Sequence, residues 1–291
     1  MPDFPAPRFD QFYRHPELTR LLADYAAARP DLVALRSIGK SHEGRDIWLV
    51  ALTNQSTGSD ADKPAFWVDG NIHAAELTAS TACLYWLHWL VSHYGGADEA
   101  GRQATQLLDT RAVYIVPRLN PDGAELALAD RPRHIRSGTR PYPFDEPQVD
   151  GLTAEDIDGD GRMLQMRVRD PHGGWKKHAQ DPRLLVPREP GEFGGEYYRV
   201  MPEGLLKNYD GLQVKVNPNR EGLDLNRNFP AYWRQEFEQA GAGPYPTSEP
   251  EVRAIVAFIA RHPNIGAAVS FHTHSGVILR PMGTQSDDDM T

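Results

Sequence analysis

The sequence holds a single cysteine, Cys83, so no intrachain disulfide can form. Cys83 lies in an apolar stretch with helical spacing and reads as a small core residue, not a nucleophile. No apolar run is long enough to cross a bilayer, which excludes a spanning helix and argues against a membrane partner. The opening Met-Pro-Asp-Phe-Pro-Ala-Pro-Arg8 lacks the charged-then-apolar order of a signal peptide, so the expected location is cytoplasmic. Basic residues are outnumbered, 31 against 40 acidic, and the resulting net charge of −9 argues against nucleic acid as a partner. There is no internal repeat and no low-complexity tract. Apolar residues make up 40% of the 291, enough for one large packed α/β domain or two small ones.

Residues 16–29 place Leu18, Leu21, Leu22 and Tyr25 at helical spacing, and Pro30 stops the pattern. Two β-like runs, 32–38 and 46–53, flank a polar segment from Gly39 to Arg45 and read as a hairpin. Residues 65–69 form a short buried-strand pattern, and 77–94 have helical spacing before Gly95-Gly96. Residues 112–117 are another buried strand, followed by the turn signal Asn120-Pro-Asp-Gly123. Strand, helix, strand in this order predicts an α/β fold with a mixed, mostly parallel central sheet and helices on both faces.

Residues 141–210 are rich in Pro, Gly, Asp and Arg and read as a long irregular insertion within a single domain over 1–291. Regular structure is expected again at 212–216. A helix over 249–260 is expected to start from Thr247-Ser248, with Glu251 completing a capping box with Ser248. Residues 265–271 read as a buried strand, and Val277-Ile-Leu279 as the start of another.

Three stretches carry candidate chemistry. His73-Ala-Ala-Glu76 lies beyond the C-terminal end of a predicted strand, where open α/β sheets bind ligands. Its spacing lets an imidazole and a carboxylate converge on a cation such as zinc, which accepts mixed N/O ligands. Ser270-Phe-His272-Thr-His274 ends another strand and offers two histidines in phase. Gly222-Leu-Asp224-Leu-Asn226-Arg227-Asn228-Phe-Pro230 places an arginine and an asparagine amide where together they can grip a carboxylate. Asp224 is placed to orient a metal-bound imidazole. In the insertion, Asp156-Ile-Asp158-Gly-Asp160-Gly161 resembles the start of a calcium loop. Arg167 at the twelfth position excludes a full EF-hand, leaving a partial calcium site or a solvated acidic turn.

Taken in order, H-x-x-E, N-P-D-G, D-L-N-R-N-F, S-E-P-E and S-F-H resemble the zinc metallocarboxypeptidases of the carboxypeptidase A type. The earlier Ile38-Gly-Lys-Ser-His-Glu-Gly-Arg45 is similar to that family's pattern as well. The resemblance covers roughly residues 10–140 and 211–283. It implies a mixed eight-stranded sheet and one zinc held by His73, Glu76 and His272, with His274 the less favoured alternative to His272. It also implies that Asp224 hydrogen-bonds His73 and that Asn226 and Arg227 bind the free carboxylate of a peptide. Arg136, with Arg133 as the alternative, would polarise the scissile carbonyl and stabilise the oxyanion.

The chain departs from the pattern in two places. Ala75 stands where many digestive members of the family have arginine. No glutamate follows Glu251, so the family's catalytic glutamate and its capping tyrosine have no counterpart after His272. The expectation is a domain incomplete at its C-terminal end that binds zinc without robust turnover. The expected activity is metallocarboxypeptidase hydrolysis of peptides with a free C-terminus. The alternatives are an amidohydrolase or deacylase acting on acylated amino acids, and a non-catalytic module that binds carboxylate-ended ligands.

Overall fold

The computed structural model describes residues 6–130, 132–142, 150–217, 221–273 and 276–279. Helix α1 spans His15–Ala28 and buries Leu18, Leu21, Leu22 and Tyr25, the apolar stripe seen in the sequence. Strands β1 (Val33–Lys40) and β2 (Asp46–Leu52) form the expected hairpin. Its loop turns at Gly44, whose φ of 83° suits a residue without Cβ. Strand β3 (Ala65–Gly70) runs into helix α2 (Leu77–His93). Helix α3 (Glu99–Thr110) leads into β4 (Ala112–Val116). The Asn120-Pro-Asp-Gly123 turn is also the start of a short helix, α4 (Pro121–Ala127), with Asn120 as its N-cap.

The segment expected to be irregular is instead rich in strands. Strands β5 (Gly151–Ala154), β6 (Gln165–Arg169), β7 (Trp175–Lys177), β8 (Leu185–Pro187), β9 (Tyr197–Pro202) and β10 (Gly204–Lys207) follow one another. They build a four-stranded antiparallel sheet, β6-β9-β7-β8, and a separate β5-β10 pair. Cations over aromatic faces help hold the larger sheet: Arg167 and Lys177 lie 5.3 and 5.4 Å from the Tyr198 ring centroid. Such pairs leave no apolar alternation in the sequence, which is why periodicity gave no signal there.

Helix α5 (Pro250–Arg261) and strand β11 (Ile265–Phe271) follow. The main sheet has the order β1-β2-β4-β3-β11. It is mixed, but the parallel part does not dominate: β1–β2 and β2–β4 are antiparallel, β4–β3 and β3–β11 parallel. Alternate residues of β2 and β4 feed opposite layers, as a pleated strand requires. Val50, Leu52, Val113 and Ile115 pack with α1, α2 and α3 on one face. Ile47, Leu49, Ala51, Tyr114 and Val116 pack with Val252, Ile255 and Phe258 of α5 on the other.

Four further expectations are corrected. Residues 212–216 contribute only an isolated bridge, Leu152 to Val216. The N-cap of α5 is Glu249, without a side-chain cap, because Glu251 turns away to accept the His42 backbone N–H at 2.8 Å. Strand β11 is present but not buried: among the described residues only β3 pairs with it, and its middle residues are exposed. Residues 276–279 form no strand. No helix among the described residues is long and apolar enough to cross a membrane.

Candidate metal centre

Parallel pairing brings the C-terminal ends of β3 and β11 side by side, so the residues that follow each strand meet at one rim. The chain leaves β3 through Gly70, where a Cβ would lie 2.6 Å from the Ala79 carbonyl oxygen of α2. Asn71 then takes a left-handed conformation, φ 59°, and swings the chain towards His73. His73 is buried, and Glu76 is the residue before α2. His272 directly follows β11 and is exposed.

The three side chains converge. His73 Nδ1 lies 2.9 Å from Glu76 Oε1, His272 Nδ1 lies 2.9 Å from Glu76 Oε2, and the two Nδ1 atoms are 3.1 Å apart. Protons alone cannot satisfy all three contacts. If both nitrogens carry hydrogen, the histidines oppose each other. If only one does, the other presents a lone pair to the carboxylate. A shared cation satisfies all three at once. Zinc–ligand bonds of ~2.0–2.1 Å in tetrahedral geometry give ligand–ligand edges of about 3.3 Å, a few tenths longer than those observed. The donor set therefore fits the ion in both chemistry and spacing.

Asp224 sits behind His73. Its Oδ1 is 3.3 Å from His73 Nε2, an ion-pair distance without the alignment of a hydrogen bond, so the expected bond is present as a contact only. Its Oδ2 accepts from Arg136 Nε at 2.8 Å. Burial pushes the Asp224 carboxyl up, but the neighbouring His73 and Arg136 outweigh that and hold it well below the usual carboxylate range. Arg136 also reaches Glu76, at 3.8 Å, and so spans two carboxylates of the site. Arg133 is directed elsewhere, forming a bidentate pair with Glu221 at 2.8 and 3.0 Å.

Asp224, Asn226 and Arg227 lie on a tight turn. Residues Leu225–Arg227 form a 3-10 turn capped by Asp224, whose Oδ1 accepts the Asn226 N–H at 2.9 Å. Leu225 is buried and anchors the turn in the core. Arg227 donates only a long 3.3 Å bond to the Asn226 carbonyl oxygen, and no carboxylate among the described residues is within ion-pair distance of it. His274 lies outside the described residues. In the insertion, Asp156 and Asp158 are grouped with Glu203 of the β9–β10 turn, not with Asp160. The Glu203 oxygens accept the Ile157 and Leu164 N–H groups, and Asp160 is turned to the Arg162 N–H.

Comparison with known proteins gives the family. The family model described as zinc carboxypeptidase matches residues 18–147 and 196–290. The chain belongs to the zinc carboxypeptidase family. The match breaks off at 147 and resumes at 196, leaving out β5 to β8. Carboxypeptidase A2 of Mus musculus is 26% identical over 275 residues, covering 94% of this chain and 48% of the relative. Carboxypeptidase D of Homo sapiens is 34% identical over 140 residues, covering 41% of this chain and 10% of the relative. The crystal structure of carboxypeptidase A from Helicoverpa armigera superposes with a TM-score of 0.58 at 20% identity, covering 92% of this chain and 47% of that one. Thrombin-activatable fibrinolysis inhibitor superposes with a TM-score of 0.57 at 21% identity, covering 91% and 48%. The chain thus spans about half the length of the carboxypeptidase A relatives it matches.

Sequence reasoning missed several residues that build this zinc carboxypeptidase rim. Asn71 and Asn120 hold the loops around it, Glu221 anchors Arg133, and Asp69 and Ser270 join the two ligand-bearing strands. Of these, Asn120 inside N-P-D-G and Ser270 inside S-F-H stood in motifs, where Asn120 read as a turn residue and Ser270 only as the end of a strand.

Proposed function

We propose that this chain carries the metal-binding and carboxylate-binding part of a zinc-dependent carboxypeptidase, with His73, Glu76 and His272 holding one zinc. The reading rests on the mutual approach of those three side chains, within 4.8 Å, at the rim where β3 and β11 end. A zinc ion in such a site polarises a carbonyl and lowers the pKa of water. The residues around it do the remaining work. Asp224 keeps its negative charge and orients His73 through Nε2. Arg136, held on Asp224, has its remaining N–H groups to offer to a carbonyl oxygen that gains charge.

Arg227, with no acidic partner among the described residues, and the Asn226 amide receive the free carboxylate of a peptide. That preference would make the activity that of an exopeptidase. Metal analysis of the purified chain tests the reading. We expect about one zinc per chain, lost in both His73→Ala and His272→Ala. Full zinc retention in either variant would overturn the assignment.

A further inference from the structure

We propose that Asn71 and Asn120 are positioning residues, two buried amides that set the His73–Glu76 loop and the Arg136 loop in ligand-ready geometry before any ion arrives. The inference rests on the zinc reading above and extends it to residues that touch neither metal nor substrate. Both asparagines are fully buried. Three consecutive carbonyls of the metal loop point at their side chains. Asn71 Nδ2 donates to the His73 carbonyl at 2.8 Å and to the Ala74 carbonyl at 3.1 Å. Asn120 Nδ2 donates to the Ile72 carbonyl at 3.2 Å.

The second donation of Asn120 goes across to the neighbouring loop, to the Ser137 carbonyl at 3.1 Å. Beside it, Ala74 N donates to the Arg136 carbonyl at 3.2 Å and Ala75 N to the Ile135 carbonyl at 3.1 Å. The loop that carries two ligands and the loop that carries Arg136 are therefore one hydrogen-bonded unit. The unit is fixed to the sheet through the backbones of the same two residues, because Asn120 N donates to the Asn71 carbonyl at 3.1 Å. The packing leaves no slack: a Cβ on Gly123 would lie 2.5 Å from Ala74 Cβ and 2.7 Å from Asn120 Nδ2. Asparagine suits position 71 twice over, since it tolerates φ 59° and carries a forked donor.

The backbone role and the amide role of Asn71 separate by substitution. Asn71→Gly keeps the left-handed backbone and deletes both donations. Asn71→Asp keeps shape and backbone preference but turns an acceptor towards two carbonyls. Asn120→Asp retains the oxygen that accepts the Gly123 N–H at 2.9 Å, and so the α4 cap, while losing both loop donations.

The experiment is a zinc titration of the full chain against a competing chelating indicator, well below the melting temperature, with metal-free melting measured in parallel. Loss of supporting contacts around metal ligands costs about 10–100-fold in affinity. We expect Asn71→Gly and Asn120→Asp to fall in that range and Asn71→Asp to fall further. A backbone-only role predicts Gly equal to or better than wild type and Asp unchanged, and that ordering would overturn the proposal. Lower metal-free melting with unchanged zinc affinity would overturn it too. If Asn120→Asp does not fold, the two Asn71 variants decide the outcome. His73→Ala serves as the control: if wild type itself takes up no zinc, the failure belongs to the metal assignment and not to the asparagines.

Discussion

Ser270 donates its hydroxyl to Asp69 Oδ2 at 2.8 Å, across the parallel pair of strands that end at the two histidines. The same oxygen accepts the Trp67 indole N–H at 2.6 Å. Asp69 is buried, so its partners decide whether that burial is tolerated. Ser270→Ala removes a donor and leaves Asp69 with Trp67 alone. The expected loss is about 1–2 kcal/mol of stability, read as a lower urea midpoint at unchanged slope. An unchanged midpoint would show that this cross-strand bond does not matter.

Glu251 gives a pH signature. Burial pushes its carboxyl up from 4.5 to about 7, against the opposing pull of the His42 N–H. A carboxyl raised on folding contributes stability that is fully present below 4.5 and is lost as pH rises through about 7. Glu251→Gln keeps an acceptor for His42 and cannot ionise. We expect it to stabilise the chain by up to about 3 kcal/mol above pH 7, with the gain vanishing towards pH 4.5. Thermal melts at pH 5 and pH 8 check this; an equal effect at both would contradict the buried-acid account.

Arg133 and Glu221 join the two segments between which the insertion leaves and returns. The pair is bidentate, with side chains 33% and 16% exposed, so it should exceed an ordinary surface pair. A double-mutant cycle with Arg133→Ala and Glu221→Ala is expected to give a coupling of about 1 kcal/mol that shrinks in high salt. Strict additivity would mean that the clasp is only geometric.

Gly123→Ala should act at a distance from any ligand. The new methyl meets Ala74 and Asn120 at distances real Cβ atoms do not reach, so α4 or the metal loop must shift. A destabilisation of about 1–3 kcal/mol is expected, with weaker zinc retention on dialysis. Wild-type stability would mean that the loop has slack.

The core elements were legible because their signals are periodic. The α1 stripe, the hairpin, and the β3–α2–β4 unit follow directly from apolar spacing. Helix α3 gave little signal because it buries Gly101 and Ala104 beside Leu108, and residues that small barely register as an apolar face. Helix α4 was hidden because asparagine and proline open turns and helices alike. At the rim, ligand residue types could be read from the motifs. The loop-holding amides could not, because their acceptors are backbone carbonyls, which every sequence has.

The clasp of Arg133 on Glu221, with Ser137 Oγ on the Glu221 carbonyl and Gly138 N on the Leu223 carbonyl, closes the polypeptide on itself at the edge of the rim. The strands of the insertion, β5 to β10, lie between these ties in the chain, and Arg140 reaches past them to Glu249 at the start of α5. A cut within the insertion would therefore leave residues 133–138 still bonded to residues 221–223 beside the metal loop.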